Sequence, residues 1–328
     1  MRAALAALLL SALPLWAVAQ PAPQLTLVAE HVVEGMPRGN LSGLASCNGA
    51  LWAVSDRDDQ VIYRMDTAAP LWQAQPYSFV APPVPVADLP WGLRSRTWAA
   101  SLLRGGDLDF EGISCDAKGN RYLVSEAHAA VLQLPAEGAP AWLQISPTLV
   151  RQARASGMLL HFNALFEGLA VNPAGDHLYL SAERERRGLL VVGKRQSVWD
   201  CEGGCVLMSE AGEETQPAQI THPKKLSRDF SDLAYFDNKL FTLERNAYQI
   251  CRRSLENGAV ERCWSFADAA LAPERRYDQP YGLTEALVID AKGAWVGTDN
   301  NESRRADGEL RPTVWRFAAP AGGWGAKP

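Results

Sequence analysis

The sequence lacks the motifs of several large enzyme classes. It contains no G-x-S-x-G elbow, no G-x-x-x-x-G-K-[ST] phosphate loop and no H-E-x-x-H helix, so the usual signatures of serine esterases, nucleotide hydrolases and zinc proteases are missing. Histidine is scarce, with five residues, none of them paired at the spacing of metal ligands. The chain has a formal net charge of -5 and no basic block, which argues against nucleic acid as a partner.

Long stretches with helical periodicity are also rare. Residues 147–160 are the one segment predicted to form a helix, because Pro147 suits a first helical turn. The 11 tryptophans, 26 glycines and 21 prolines favour strands and turns over helices. Since 47% of the 328 residues are hydrophobic, the chain can bury a full core.

A short pattern recurs five times along the chain. It consists of an apolar residue, an acid, a small residue, two apolar residues, a tight turn and a second strand that ends in another acid; in the first repeat, Ser42 replaces the first acid. The repeats begin at residues 41–45, 110–114, 166–170, 231–235 and 284–288. A long repeat of strands and turns indicates a β-propeller or an array.

We therefore predict an all-β chain with a single β-propeller of four-stranded antiparallel blades. Residues 25–33 alternate like a strand and are expected to complete the last blade. Five repeats plus this closure are compatible with five or six blades, and we predict six. The predicted domains are a signal peptide over residues 1–19 and the propeller over residues 20–328.

The two acids of each repeat lie at the same end of a hairpin, because one begins a strand and the other ends its antiparallel partner. Blades stand radially around a channel, so these ends are expected to meet at one mouth. The predicted mouth acids are Asp56, Glu111, Glu126, Glu167, Glu183, Asp232, Glu244, Glu285 and Asp299. Arginines directly follow three of them, at Arg57, Arg184 and Arg245.

A ring of acids at one mouth suits a cation. Calcium takes six to eight oxygen ligands, and clustered carboxylates repel one another without a positive charge among them. The predicted calcium ligands are Asp109, Glu111, Glu167, Glu183, Asp232, Glu244, Glu285 and Asp299. The predicted substrate contacts are Arg57, Arg184, Arg245 and Asn300. In the alternative interpretation, the acids cap backbone amides and pair with arginines to hold the blades together.

The N-terminus predicts export. Arg2 precedes an apolar run, and residues 17–19 (AVA) form a cleavage signal. A periplasmic or secreted protein is expected, without stable membrane insertion after cleavage. The six cysteines agree with this, since an even number in an exported chain indicates disulfides. The predicted pairs are Cys47–Cys115, Cys201–Cys205 and Cys251–Cys263.

The third repeat carries a family resemblance. Residues 166–175 (FEGLAVNPAG) followed by 178–183 (LYLSAE) resemble the phytase-like propeller family, also called esterase-like activity of phytase proteins. Residues 109–113 (DFEGI), 284–287 (TEAL) and 297–300 (GTDN) are similar in style. The resemblance covers most of the mature chain and implies an exported six-bladed propeller, calcium dependence, and hydrolysis of phosphoesters or esters.

Three functions are compatible with these patterns. The first is a metal-dependent hydrolase of a small anionic or ester substrate, in which Glu111 or Glu167 acts as the catalytic carboxylate on water. The second is a non-catalytic periplasmic protein that binds a ligand or a protein at the same mouth. The third is a gluconolactonase-like lactonase, because the Glu-Gly strand also occurs in that class of propeller. A monomer is expected in each case.

Overall fold

The computed structural model describes residues 21–36, 40–85, 89–104, 107–161, 164–279 and 281–327. The predicted signal peptide lies outside this part of the chain. Short antiparallel strands follow one another through almost all of the described residues. Within those residues, no helix is both long and apolar enough to cross a membrane.

The elements are named in chain order. Strand β1 (Leu27–Glu34) precedes the first sheet, which contains β2 (Gly43–Cys47), β3 (Ala50–Val54), β4 (Val61–Asp66) and β5 (Trp72–Ser78). After helix α1 (Trp91–Arg104), the second sheet contains β6 (Phe110–Cys115), β7 (Arg121–Ser125), β8 (Ala130–Leu134) and β9 (Ala141–Trp142). Strand β10 (Gln144–Ile145) and helix α2 (Thr148–Ala155) come next.

The third sheet contains β11 (Phe166–Val171), β12 (His177–Ala182), β13 (Arg186–Arg195), β14 (Val198–Asp200) and β15 (Val206–Ala211), and β10 pairs with β14 at its edge. A small hairpin of β16 (Glu213–Thr215) and β17 (Lys225–Ser227) follows. The fourth sheet contains β18 (Asp232–Phe236), β19 (Lys239–Glu244), β20 (Gln249–Arg253) and β21 (Val260–Ser265). Helix α3 (Ala267–Ala270) and a 3₁₀ turn (Pro273–Arg275) lead to β22 (Thr284–Asp290), β23 (Gly293–Thr298) and β24 (Thr313–Ala318).

The sheets are arranged as a β-propeller. Their first strands, β2, β6, β11, β18 and β22, contact one another in cyclic order and surround a channel. Strands β22, β23 and β24 form the fifth blade, and β1 completes it by pairing antiparallel with β24. Strand β1 also pairs in parallel with β5 of the first sheet. In the described residues five inner strands surround the channel, and β1 joins the first and last blades in one eight-stranded sheet, so the predicted sixth blade is not confirmed.

The small residue of the repeat is explained by the close approach of the inner strands. A Cβ atom on Gly112 would lie 2.8 Å from the carbonyl oxygen of Glu167, and one on Gly168 would lie 2.7 Å from the Cα atom of Asp232. Close-packed interiors do not accommodate such contacts without backbone movement. Glycine is therefore required here by packing around the channel.

Apolar side chains fill the spaces between sheets, and disulfides add covalent links. Cys47–Cys115 joins the ends of β2 and β6, and hence the first two sheets. Cys251–Cys263 joins opposed residues of β20 and β21, and Cys201–Cys205 closes a short loop. All three predicted pairs are present in the structure.

The helices differ from the prediction. The helix expected over residues 147–160 is shorter, since α2 ends at Ala155 and Pro147 is its N-cap. Helix α1 was not predicted, although it has 14 residues. Its sequence mixes tryptophan, arginine and serine and buries only Leu93 and Thr97 among residues 91–99, so the apolar stripe that would have revealed it is narrow.

Candidate active site

The hairpin ends meet at one mouth of the channel, where they line a cavity of about 470 Å³. Its carboxylates belong to Asp56, Glu111, Glu126, Glu167, Glu183, Asp229, Glu285 and Asp299. Its guanidinium groups belong to Arg57, Arg184 and Arg245. Acids thus outnumber bases eight to three in this lining, and the mouth favours a cation.

Irregularities in strand pairing direct three glutamates towards the channel. The register of β6 against β7 shifts at Glu111, that of β22 against β23 shifts at Glu285, and that of β11 against β12 shifts at residues 167–168. A β-bulge adds a residue without a partner and changes the direction of its side chain. The bulges therefore explain how Glu111, Glu167 and Glu285 reach the cavity.

Asp232 was predicted to be a metal ligand, but the structure places it between strands. Its Oδ1 accepts the Leu233 N–H and its Oδ2 accepts the Leu287 N–H, each at 2.7 Å. Strand β18 has no bulge in its pairing with β19. The Asp232 backbone lies against Gly168 in the same way as the Gly112 backbone lies against Gly43. Asp232 thus occupies the glycine position of the repeat, and its fully buried carboxylate bridges two inner strands.

Glu244 was also predicted to be a metal ligand, and it is instead an ion-paired residue away from the cavity lining. Its carboxylate binds Arg187 at 3.0 Å and Arg253 at 2.6 Å. Burial alone would raise the pKa of Glu244, but the two guanidinium groups outweigh it and lower the pKa. Glu244 also lies near Cys251 and Cys263, but these cysteines form a disulfide and cannot bind a metal.

Two carboxylate clusters remain at the mouth. The first contains Asp56, Asp109 and Glu111, and the second contains Glu126, Glu167 and Glu183. Within each cluster, one carboxylate oxygen from every residue lies within 4.8 Å of the others. Calcium binds oxygens at about 2.3–2.6 Å, so ligands on opposite sides of the ion are about 5 Å apart. The spacing of both clusters therefore fits this ion.

Burial and mutual repulsion make the clusters unfavourable without a proton or a cation. The pKa of Glu111 is well above its ordinary value because the carboxyl is buried and because Glu167 and Asp109 are nearby. Burial, followed by Glu167, likewise raises the pKa of Glu183. The Oε2 atom of Glu183 is buried without a hydrogen-bond partner among the described residues. A bound cation would relieve the repulsion between these buried carboxylates and would give the Glu183 oxygen a partner.

Asp299 is a buried carboxylate in the lining of the cavity. Burial, followed by the charge of the neighbouring Asp56, raises the pKa of Asp299 to about 7. Its carboxylate accepts hydrogen bonds from the Asn40 amide at 3.2 Å and from the Asn301 N–H at 3.0 Å. These donors hold Asp299 at the edge of the cavity, as predicted for a mouth acid.

Arg245 forms ion pairs with several acids of the mouth. It binds Asp229 at 2.7 Å and contacts Glu183 and Glu285, with Glu167 at 3.9 Å. Burial would lower the pKa of Arg245, but these carboxylates outweigh it and raise the pKa well above its ordinary value. The guanidinium predicted to hold substrate is therefore already occupied by the protein's own acids.

Asp229 was missed by the sequence analysis. A signal was present, because Asp229-Phe230 matches Asp109-Phe110 at the start of another repeat. Aligning these two pairs puts Ser231 in the acid position and Asp232 in the glycine position, in agreement with the structure. The sequence prediction had assigned Asp232 to the acid position because it is the acidic residue within residues 231–235.

The other predicted substrate contacts divide into two groups. Arg57 and Arg184 line the cavity, where they pair with the adjacent Asp56 and Glu183 at 3.3 and 2.5 Å. Asn300 does not line it, because its amide donates to the carbonyl oxygens of Ser303 and Leu310. The neighbouring Asn301 is in the lining instead.

Comparison with known proteins identifies the family. The family described as phytase-like, esterase-like activity of phytase, matches residues 36–302. The chain belongs to this family. All the lining residues of the mouth, from Asp56 to Asn301, fall within the matched region of this phytase-like protein. No curated protein matches the chain.

Solved structures with similar architecture are distant in sequence. The glutaminyl cyclase of Myxococcus xanthus is 8% identical, with 91% of this chain and 97% of that chain covered and a TM-score of 0.49. The PQQ-bound aldose sugar dehydrogenase of Streptomyces coelicolor is 13% identical, with coverages of 92% and 99% and a TM-score of 0.47. A gluconolactonase of Xanthomonas campestris is 9% identical, with coverages of 84% and 71% and a TM-score of 0.41.

Proposed function

We propose that this phytase-like protein is an exported, calcium-dependent hydrolase of a small phosphoester or ester. The observation that carries the proposal is the pair of three-carboxylate clusters beside two arginines at one mouth. Such a cavity can hold a cation and the oxygens of an anionic or polarised group together. The family supports an enzyme of this general kind, and the three disulfides support export.

The roles of the clustered carboxylates follow from their positions at the mouth. Asp56, Asp109 and Glu111 would hold one ion, and Glu126, Glu167 and Glu183 a second. A bound calcium ion would supply Lewis-acid polarisation and neutralise charge that develops on the substrate oxygens.

Two groups of side chains would act on the substrate and on water. Arg57 and Arg184 would bind the substrate oxygens and orient the scissile bond. Glu111 or Glu167 would accept a proton from the attacking water while the leaving oxygen takes up a proton from solvent.

Calorimetry on the mature, metal-stripped protein tests the first part of the proposal. We expect calcium to bind and to raise the melting temperature, because it relieves repulsion among buried carboxylates. The Glu167→Gln variant should bind calcium more weakly and lose turnover by about 100-fold or more, with an unchanged fold by circular dichroism. Glu274→Gln, whose exposed carboxylate lies on the 3₁₀ turn, is the matched control.

A panel of phosphoesters, carboxylic esters and lactones then separates the candidate functions. Turnover of lactones alone would favour the gluconolactonase-like reaction. Tight binding of an anionic ligand without turnover, weakened by Arg184→Ala, would favour a binding protein. Absence of calcium binding would contradict the metal-dependent hydrolase, and the acids would then be ion pairs that hold the blades together.

A further inference from the structure

A second groove lies beside the mouth and has not been assigned a role. Its volume is about 860 Å³. Trp91, Arg94, Ser95 and Trp98 line it from one face of α1, since they recur at the helical spacing of three, four and seven residues. Residues 81–85 (APPVP) provide a proline-rich part of the same lining.

The rest of the lining places the groove next to the mouth. It comes mainly from residues 59–60, 107–108 and 127–128. Asp109 and Glu126 of the two clusters directly adjoin the second and third of these segments, and Asp56 lies three residues before the first. A molecule bound in the groove would therefore lie next to the chain segments that carry the clustered acids.

Two exposed tryptophans are the largest side chains of the groove. Trp91 is 79% exposed and Trp98 is 66% exposed, which is unusual for such large apolar side chains. The Asp59 carboxylate accepts the N–H groups of Asp107 and Leu108 at 2.8 and 2.7 Å. These bonds hold Asp59 at one edge of the groove, and indole faces and proline rings provide its flat apolar surface.

We propose that this groove binds an aromatic ring of the substrate, so that the attached ester or phosphoester group reaches the mouth. Aromatic rings bind tryptophan by burying flat apolar surface and by edge or offset stacking. Arg94 lies on the same helix face and can stack over such a ring as well. The catalytic consequence rests on the proposed hydrolase function, whereas ring binding does not.

Titration of the mature protein with 2-naphthol, a ring without an ester or phosphate group, tests the groove separately from catalysis. We expect binding by calorimetry and a loss of affinity of about tenfold or more in the W91A/W98A double variant. The W91F/W98F variant keeps aromatic faces and should restore most of the affinity. Leu160→Ala, at an exposed apolar residue outside the groove, should leave it unchanged.

A second measurement compares kcat/KM for 1-naphthyl and methyl esters, or the matching phosphates. The wild type should prefer the naphthyl compound, and W91A/W98A should lose that preference with little change for the methyl compound. Naphthol binding that depends on Trp91 and Trp98 without turnover of any ester would support the groove and contradict the hydrolase.

Three results would overturn the assignment of the groove. The first is no naphthol binding by the folded wild type, and the second is binding that W91A/W98A does not weaken. The third is that the wild type forms a dimer, that W91A/W98A abolishes the dimer and that naphthol does not bind. This result would assign the groove to a second copy of the chain.

Discussion

Arg245 determines the charge balance of the mouth at the scale of single residues. One guanidinium contacts Glu183, Asp229 and Glu285, so part of the acid excess is neutralised within the protein. Glu183 belongs both to this network and to the cluster with Glu126 and Glu167. Arg245 thus neutralises part of one cluster, whereas Asp109 and Glu111 of the other cluster are not among its ion-pair partners in the described residues.

Replacing Arg245 with methionine tests this network. The variant leaves several buried carboxylates without their counter-charge, so we expect the free energy of unfolding to fall by about 3–5 kcal/mol at pH 8. The loss should be smaller at pH 5, because carboxyls whose folded pKa is raised take up protons there. Urea denaturation in the presence of EDTA measures both values.

The control for this prediction is Arg311→Met. Arg311 is 40% exposed and pairs with Glu34 and Glu309 at the surface, so its loss should cost about 1 kcal/mol or less. Equal losses for the two variants would contradict the role given to Arg245.

Glu214 provides a pH-dependent prediction outside the mouth lining. Burial, followed by the charge of Glu244, raises the pKa of Glu214 to about 7. The folded state therefore holds a proton that the unfolded chain loses near its ordinary pKa of 4.5, and this contribution to stability is lost as the pH rises from there to about 7. Glu214→Gln should consequently be more stable than the wild type at pH 8, by about 1–2 kcal/mol since the group is partly solvated.

The melting-temperature difference between wild type and Glu214→Gln, followed from pH 4.5 to 8, measures this effect. The adjacent Glu213→Gln substitution, on the exposed side of the same hairpin, should give no such trend. A difference that does not change with pH would contradict the raised pKa.

At the scale of strands and sheets, bulges and glycines determine what faces the channel. Blades with a bulge at the start of their inner strand present a glutamate there. The inner strand of the fourth blade has no bulge in its pairing with β19 and presents Asp232 to its neighbours instead. The inner strands can come this close because small residues face them.

Gly112→Ala tests the packing of the inner strands. The new Cβ would meet the Glu167 carbonyl oxygen at 2.8 Å, so we expect a loss of about 2–3 kcal/mol in unfolding free energy. Gly92→Ala is the matched control, because nothing lies within 4 Å of its Cβ position in α1. That variant should be neutral or more stable by up to about 1 kcal/mol. A neutral Gly112→Ala would contradict the packing argument.

For the whole molecule, closure of the ring depends on the N-terminal strand. Strand β1 pairs with β24 and with β5, and Val33 is fully buried in the core. Removing it would expose the edges of two sheets, and exposed edges promote association between chains.

Two truncations measure this contribution. A chain that starts at residue 35 should unfold non-cooperatively and associate in light scattering, whereas one that starts at residue 23 should behave like the mature protein. A cooperative, monomeric protein without β1 would show that the ring does not need this strand.

Much of this architecture could be predicted from the sequence because its signals are local. Alternating apolar residues and turns identified the repeats and the closing strand, and cysteines at equivalent turns identified the disulfide between Cys47 and Cys115. The narrow apolar stripe of α1 gave no such signal. The number of blades was also not determined, because one strand can either add a sheet or complete one.

The repeat, the strand order within each hairpin and the end at which the acids gather all follow from local patterns in the sequence. Which of these acids face the channel depends on contacts between blades. Glu244 is removed from the mouth by Arg187, which lies 57 residues away in the chain, and Asp232 by the amide of Leu287 on the next blade. The roles of these carboxylates depend on partners from other blades and on strand register, which a local pattern cannot specify.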